Sequence, residues 1–330
     1  MEIKNEDRFI KGVERMIRPM AVSNLLFLQK LKGILPPFLM KKLLYRAARK
    51  TPHIGFVIEP YSLFLFFKLK DIEYAKSMLP ERYELTKTRL FADDEPEHYM
   101  GIGNLGTRAS TFWGTRQEVY LIATDKTTGL ISFIFIDILS NTLIALPSRG
   151  IVNPNCKRAL FTTSSKGEVY LDIRQDNTNR AFQLQGSIRN GELRKLDQQL
   201  WVMGNTSIGY SKNLAAGDDH LFAVIFDPAE VEEALDIPPG DIQIMENTLF
   251  PGLAETELKR VICFPYAQHY IADSPGCSTT VKNIDDLISR YNDLAEKEDH
   301  RTFSAGTIVK QLLLGIGLTA IITLLLILLT

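Results

Sequence analysis

The densest collection of groups able to do chemistry lies between Phe112 and Thr163. Glu118 opens one apolar run, Asp137 lies in the next, and Lys157 and Arg158 stand ahead of a third. Adjacent strands can bring a lysine beside a carboxylate inside an apolar cavity, where desolvation depresses the amine's pKa. The amine is then ready to form a Schiff base with a carbonyl. In that arrangement Lys157 is the candidate nucleophile and Glu118 the nearby carboxylate. The plainer reading leaves Lys157 and Arg158 in a solvated loop, and spacing alone favours it.

Other chemistry is poorly supported. Gly101, Gly103 and Gly106 spell GxGxxG, but a dinucleotide site needs a helix opening at the third glycine, and TRASTF stands there instead. Glycines in a bent strand are expected there. The five histidines, His53, His98, His220, His269 and His300, form no HxxxH or HExxH pair, so no metal is expected. FPYAQHY, Phe264 to Tyr270, is the one histidine neighbourhood whose aromatic rings could line a pocket. Ser164 and Ser165 lack a GxSxG turn. Cys156, Cys263 and Cys277 have no CxxC spacing and fit reduced thiols. A net charge of -1 argues against general nucleic-acid binding. No cofactor is called for.

The elements that must position Glu118 and Lys157 read as strands. Tyr61–Lys70 is short and aromatic, and Asp71–Pro80 comes next as a helix capped by Asp71 and stopped by Pro80. Further strands are predicted at Tyr83–Phe91, His98–Leu105, Val119–Thr124, Leu130–Leu139, Ala159–Thr163, Val169–Arg174, Ala181–Ile188 and Leu221–Phe226. Helices are predicted at Pro228–Leu235 and Lys282–Lys297. Turn clusters at such short spacing favour a mainly β (α+β) chain, with a closed antiparallel β-cone or barrel and a few helices. The expected division is an arm over 1–50, a β domain over 51–281, a helix and linker over 282–311, and an anchor over 312–330.

Both ends speak of membranes. From Leu312 to Thr330 no charge occurs, about the length that crosses a bilayer core as one helix, with Leu312, Leu318, Ile322 and Leu326 among the lipid-facing residues. The opening MEIKNEDRFIKGVERMIRPM is too charged for a secretory signal, so the bulk of the chain is expected to stay cytosolic, anchored in a single pass. Between Met16 and Lys50, Arg18, Lys30, Lys32, Lys41, Lys42, Arg46, Arg49 and Lys50 alternate with apolar residues and no acid. Pro36 and Pro37 split this arm into two short helices. It suits an anionic lipid surface, or else packs on the main domain.

Several of these features, between about Tyr61 and Ser187, together resemble the acetoacetate decarboxylase family and its non-decarboxylating relatives. The early strand, helix and Leu-Leu-Pro look like YSLFLFFKLKDIEYAKSMLPERYEL. The strand-opening Glu looks like Glu118 in TRQEVYLIA, and the turn before an alanine-containing strand looks like GIVNPNCKRA, Gly150 to Ala159. In the family, proline precedes two lysines, the first forming the Schiff base and the second lowering its pKa. Here Pro154 precedes Asn155-Cys156-Lys157-Arg158, so Asn155 or Cys156 takes the nucleophile's place unless a one- or two-residue shift lets Lys157 act, with Arg158 as its cationic neighbour and Glu118 orienting it. The resemblance implies a closed β-cone. Two functions stay open: a non-enzymatic module holding a small hydrophobic or carbonyl-bearing ligand at a membrane, and a Schiff-base lyase acting on a β-keto acid through Lys157.

Overall fold

The computed structural model describes residues 6–20, 23, 53–109, 112–146, 150–152, 154–209, 221–273, 281–297, 300 and 305–329. The basic stretch of the arm from residue 24 to Lys50 lies outside the described residues, as does Cys277. Ahead of that stretch is an amphipathic helix, α1 (Glu6–Met16), whose Phe9, Val13 and Met16 recur at helical spacing and are buried. This helix packs on the first strand at Gly55, where a β-carbon would come 2.7 Å from the Met16 Cβ.

Runs rich in β-branched and aromatic residues form the strands. The first six are β1 (His53–Ile58), β2 (Ser62–Leu69), β3 (Tyr83–Leu85), β4 (Tyr99–Ala109), β5 (Trp113–Asp125) and β6 (Ile131–Ser140). Then come β7 (Ile144–Leu146), β8 (Gly150–Val152), β9 (Arg158–Thr163), β10 (Glu168–Arg174), β11 (Ala181–Ser187) and β12 (Glu192–Lys195). The last six are β13 (Thr206–Gly209), β14 (Leu221–Phe226), β15 (Glu233–Ile237), β16 (Ile242–Asn247), β17 (Ala254–Phe264) and β18 (Gln268–Asp273). Helix α2 (Ile72–Ser77) begins where predicted, its Asp71 cap accepting from the Tyr74 amide at 2.8 Å. Helices α3 (Gln199–Asn205) and α4 (Ile284–Glu296) complete the folded body.

Twelve strands form the main sheet in the order β12-β15-β17-β2-β4-β1-β18-β14-β13-β6-β5-β3. All neighbours are antiparallel except β13 and β6. The organiser is β4. Within its eleven residues, Met100–Arg108 pair with β5 along one edge, while the other edge pairs first with β2 and then, from Thr107, with β1. The sheet therefore curls at β4 and also continues past it. This corrects the expected closed cone: among the described residues the sheet as a whole ends on two edges, β12 and β3, because β2, β17, β15 and β12 run out from β4, and β3 from β5, beyond the circuit that the β4–β5 pairing makes of β4, β1, β18, β14, β13, β6 and β5. A separate four-stranded sheet, β16-β11-β10-β9, packs against the outside of the curl, and β7 pairs with β8 alone.

Two other expectations change. Pro228–Leu235 is a single 3-10 turn, Pro228–Val231, capped by Asp227 and followed by β15. Helix-forming residues there yield to pairing between β12 and β17. Of Tyr83–Phe91 only Tyr83–Leu85 is a strand, while Thr88 and Phe91 make isolated bridges to Glu97 and Leu196.

Beside a small cluster of Tyr120, Phe135 and Ile138, two large buried clusters result among the described residues. One lies within the curl and beneath α1, α3 and α4, where Phe9 stacks on Tyr291 at 4.7 Å. The other lies between the main and four-stranded sheets, with Leu65, Ile102, Val119, Leu121, Leu171 and Leu184 in it. The C-terminal helix α5 (Ala305–Leu329) has 25 residues, about 37 Å at the usual rise. Its stretch Val309–Leu329 has a mean hydropathy of 2.9 and is long and apolar enough to cross a membrane. Leu318, Ile322 and Leu326 are exposed on it, and Leu312 is half-buried.

Candidate functional site

Strand periodicity puts Arg116, Glu118 and Tyr120 on one face of β5, the inward face of the curl. Opposite them stand Phe133 and Phe135 of β6; Ile54, Phe56 and Ile58 come from β1, Leu105 and Thr107 from β4, and Tyr270 from β18. These residues, with Phe64, Phe112, Gly204, Val224 and Ala272, enclose a cavity of about 150 Å³.

Its wall is largely aromatic. Phe56 lies on Tyr270 with centroids 4.9 Å apart, and Tyr120 meets Phe133 at 4.7 Å and Phe135 at 5.0 Å. The polar groups gather on β5. Arg116 forms an ion pair with Glu118, and the Tyr120 hydroxyl donates to the other Glu118 oxygen at 2.9 Å. The Arg116 guanidinium also lies 5.6 Å from the Phe112 ring centroid. Burial, with Glu118 beside it, raises the Tyr120 phenol well above its ordinary pKa, so it stays a donor. Tyr270 is likewise raised well above its ordinary value by burial. Thr107 is 3 % exposed, and its hydroxyl has no hydrogen-bond partner among the described residues.

Glycines in β4 make room for this constellation. A β-carbon on Gly103 would clash with the Tyr120 hydroxyl and come 2.8 Å from the Phe64 ring; one on Gly101 would sit 3.2 Å from both Phe66 and Tyr120. The GxGxxG stretch is thus strand backbone approached closely by aromatic rings, in keeping with the TRASTF sequence at its third glycine.

A bulge settles which acids face the cavity. Val119 pairs with Asp137 and Tyr120 with Phe135, so β6 has one extra residue between them. Ile138, not Asp137, then stands opposite Glu118. Asp137 turns to the packed side and forms an ion pair with Arg180. Burial raises its carboxyl above the ordinary value, although Arg180 opposes the shift.

The other sequence-derived candidates stand elsewhere. Lys157 is exposed just ahead of β9, its amide donating to Asp176 Oδ1 at 3.0 Å, and Arg158 is exposed on β9 opposite Arg174. Neither lines the cavity, so Glu118 is separated from both. Asn155 staples this segment to the end of β6: its Oδ1 accepts from Ser140 N at 2.8 Å and its Nδ2 donates to Ile138 O at 2.7 Å. The buried Cys156 thiol is pushed up to about 12 by burial. In FPYAQHY, Tyr270 does line the cavity, whereas His269 pairs with Glu230 through Nδ1 at 2.6 Å.

Arg116 and Tyr120 are cavity residues that the sequence does not single out. Their signal is the alternation Arg116-x-Glu118-x-Tyr120, which any strand through Glu118 turns to one side. Thr107 and the β1 residues Ile54, Phe56 and Ile58 carry no such signal, since only long-range pairing brings them near.

No family model matches the chain, and no curated protein matches its sequence. Among solved structures it is similar to the acetoacetate decarboxylase of Legionella pneumophila subsp. pneumophila strain Philadelphia 1, at 12 % identity and a TM-score of 0.44, over 67 % of this chain and 86 % of that one.

Proposed function

We propose that the chain is a membrane-tethered binding domain that holds a small, largely hydrophobic, carbonyl-bearing ligand in the curl of its main sheet, without covalent chemistry. The observation that carries this reading is the cavity of about 150 Å³, rich in aromatic side chains, whose hydrogen-bonding side chains are only Thr107, Arg116, Glu118, Tyr120 and Tyr270 among the described lining residues. A space of that size lined by apolar side chains takes up a benzene-sized molecule. No lysine is among the described residues lining it, which favours binding over amine catalysis.

The tether in this proposal is α5, inserted as a single pass with the β body on the cytosolic side and membrane lipid as its partner. The two hydroxyls within its apolar stretch Val309–Leu329 support lipid residence. Thr319 and Thr323 donate to carbonyls one turn earlier, at 2.9 Å each, so neither needs water. Leu312, Leu318, Ile322 and Leu326 would meet the acyl chains.

Borohydride trapping of the full chain with a β-diketone, read by peptide mapping, tests the non-covalent reading. No adduct is expected. A reduced adduct on Lys157 would replace it with Schiff-base chemistry assisted by Arg158. Carbonate extraction of membranes carrying the full chain tests the tether: retention in the pellet is expected, and release would overturn it.

A further inference from the structure

Three features of the cavity bear on the charge of the ligand it accepts. Glu118 has both carboxylate oxygens engaged, one by Arg116 and one by the Tyr120 hydroxyl. Arg116 is therefore already neutralised at contact distance, and the polar wall carries no net charge to offer a ligand. The bulge at β6 removes Asp137, the other acid near this stretch, from the cavity side. Finally, the Thr107 hydroxyl, on the same wall, is buried with no partner among the described residues. A buried hydroxyl in that condition costs free energy that a ligand's hydrogen-bonding group can recover.

We infer that the cavity selects an uncharged ligand, a ketone or similar neutral carbonyl compound of benzene to acetophenone size, whose oxygen accepts from Thr107, and that it rejects the corresponding carboxylate. A carboxylate would leave water for an aromatic cage and set its charge against Glu118, with Arg116 already paired. A neutral carbonyl meets neither penalty. This inference rests on the binding reading above and narrows it to a ligand class.

The test uses the full chain in lipid nanodiscs, with empty nanodiscs subtracted, titrated by ligand-observed NMR with toluene, acetophenone and benzoate. Acetophenone is expected to bind at least about tenfold more tightly than benzoate, given the cost of burying an unpaired charge. Thr107→Val should weaken acetophenone by about 3- to 10-fold, the worth of one hydrogen bond, while leaving toluene unchanged or tighter. Glu118→Gln should release Arg116 and raise benzoate affinity by about tenfold or more. Benzoate bound more tightly than acetophenone by the unaltered chain would overturn the neutral-ligand inference and leave the binding reading standing. Acetophenone affinity indifferent to Thr107→Val would remove Thr107 as the donor and overturn the assigned binding mode. Failure of all three probes to bind would sink both.

Discussion

The two faces of strands β4, β5 and β6 meet the same chain in opposite ways. On the outer face Ile102, Val119, Leu121, Ile134 and Ile136 are sealed under the four-stranded sheet, and each has essentially no exposure. On the inner face the corresponding positions are Gly103, Glu118, Tyr120, Phe133 and Phe135, and they leave a cavity. Aliphatic side chains fill a sheet interface at crystal-like density. Bulky rings laid against bare glycine backbone on one side and around an ion pair on another do not interdigitate in that way. The difference teaches that the outer face is built for stability and the inner face for occupancy.

The sharpest way to break this comparison is to empty the filled side. Leu171 of β10 is fully buried under β4–β6, and Leu171→Ala should cost about 2–5 kcal/mol in urea unfolding. A cost below about 1 kcal/mol would mean the outer interface is loose and the two faces are alike. The same substitution made on each face sharpens the point. Val119→Leu, in the filled core, should cost about 1–3 kcal/mol through overpacking. Val224→Leu, on the cavity wall, should be close to neutral for stability and should weaken acetophenone capture. Equal costs would deny that the inner space is available.

Gly103 joins the two faces, since its missing side chain is what lets Tyr120 reach Glu118. Gly103→Ala should cost about 1–3 kcal/mol by overpacking and should displace Tyr120 from its hydrogen bond, with loss of ligand binding beyond the loss of stability. Unchanged binding would place the recognition elsewhere than β5.

The outer face was the more legible of the two. The runs YSLFLFF and ISFIFIDIL announce buried strands by themselves, and Asp71 and Pro80 bound their helix by local chemistry alone. Glu118 was legible as an acid opening an apolar strand. The inner face was not, because it depends on β1, β14 and β18, which are separated in sequence from β5 by up to about 150 residues; their register is set by pairing that no local pattern encodes. The segment Glu233–Ile237 shows the same limit. EALDI has helical propensity, and only a place between two strands makes it extended. The bulge that sends Asp137 outward is likewise invisible in an unbroken apolar run.

The smallest expected effect concerns acids outside both faces. Asp125 is held by Arg82 through two hydrogen bonds, of 2.8 and 2.6 Å, and by the Thr127 amide, and Asp94 is held by Arg260 at 2.7 and 3.0 Å. Burial alone would raise both carboxyls, but these hydrogen bonds and charges outweigh it, so both sit below the ordinary carboxylate range. A carboxyl lowered in the folded state adds stability that is fully present above its unfolded pKa of about 3.9 and is lost as pH falls through the folded value. Asp137 and Glu230, raised by burial, act with the opposite sign, adding stability as pH falls through their folded values towards the unfolded ones. The Asp125 contribution is therefore read as a difference between the unaltered chain and Arg82→Met. Urea unfolding followed from pH 6 to pH 2.5 should show the two proteins separated by a constant gap above about pH 5 and converging below about pH 4. The gap should be under about 1 kcal/mol, because Arg82 is partly solvated and salt screens it. A gap that instead widened on acidification would mean that Asp125 is raised rather than lowered by its surroundings. Binding of acetophenone should be the same in both proteins at pH 7, since Arg82 and Asp125 lie outside the cavity wall. A change there would show that the rim, and not only the inner face, shapes the cavity.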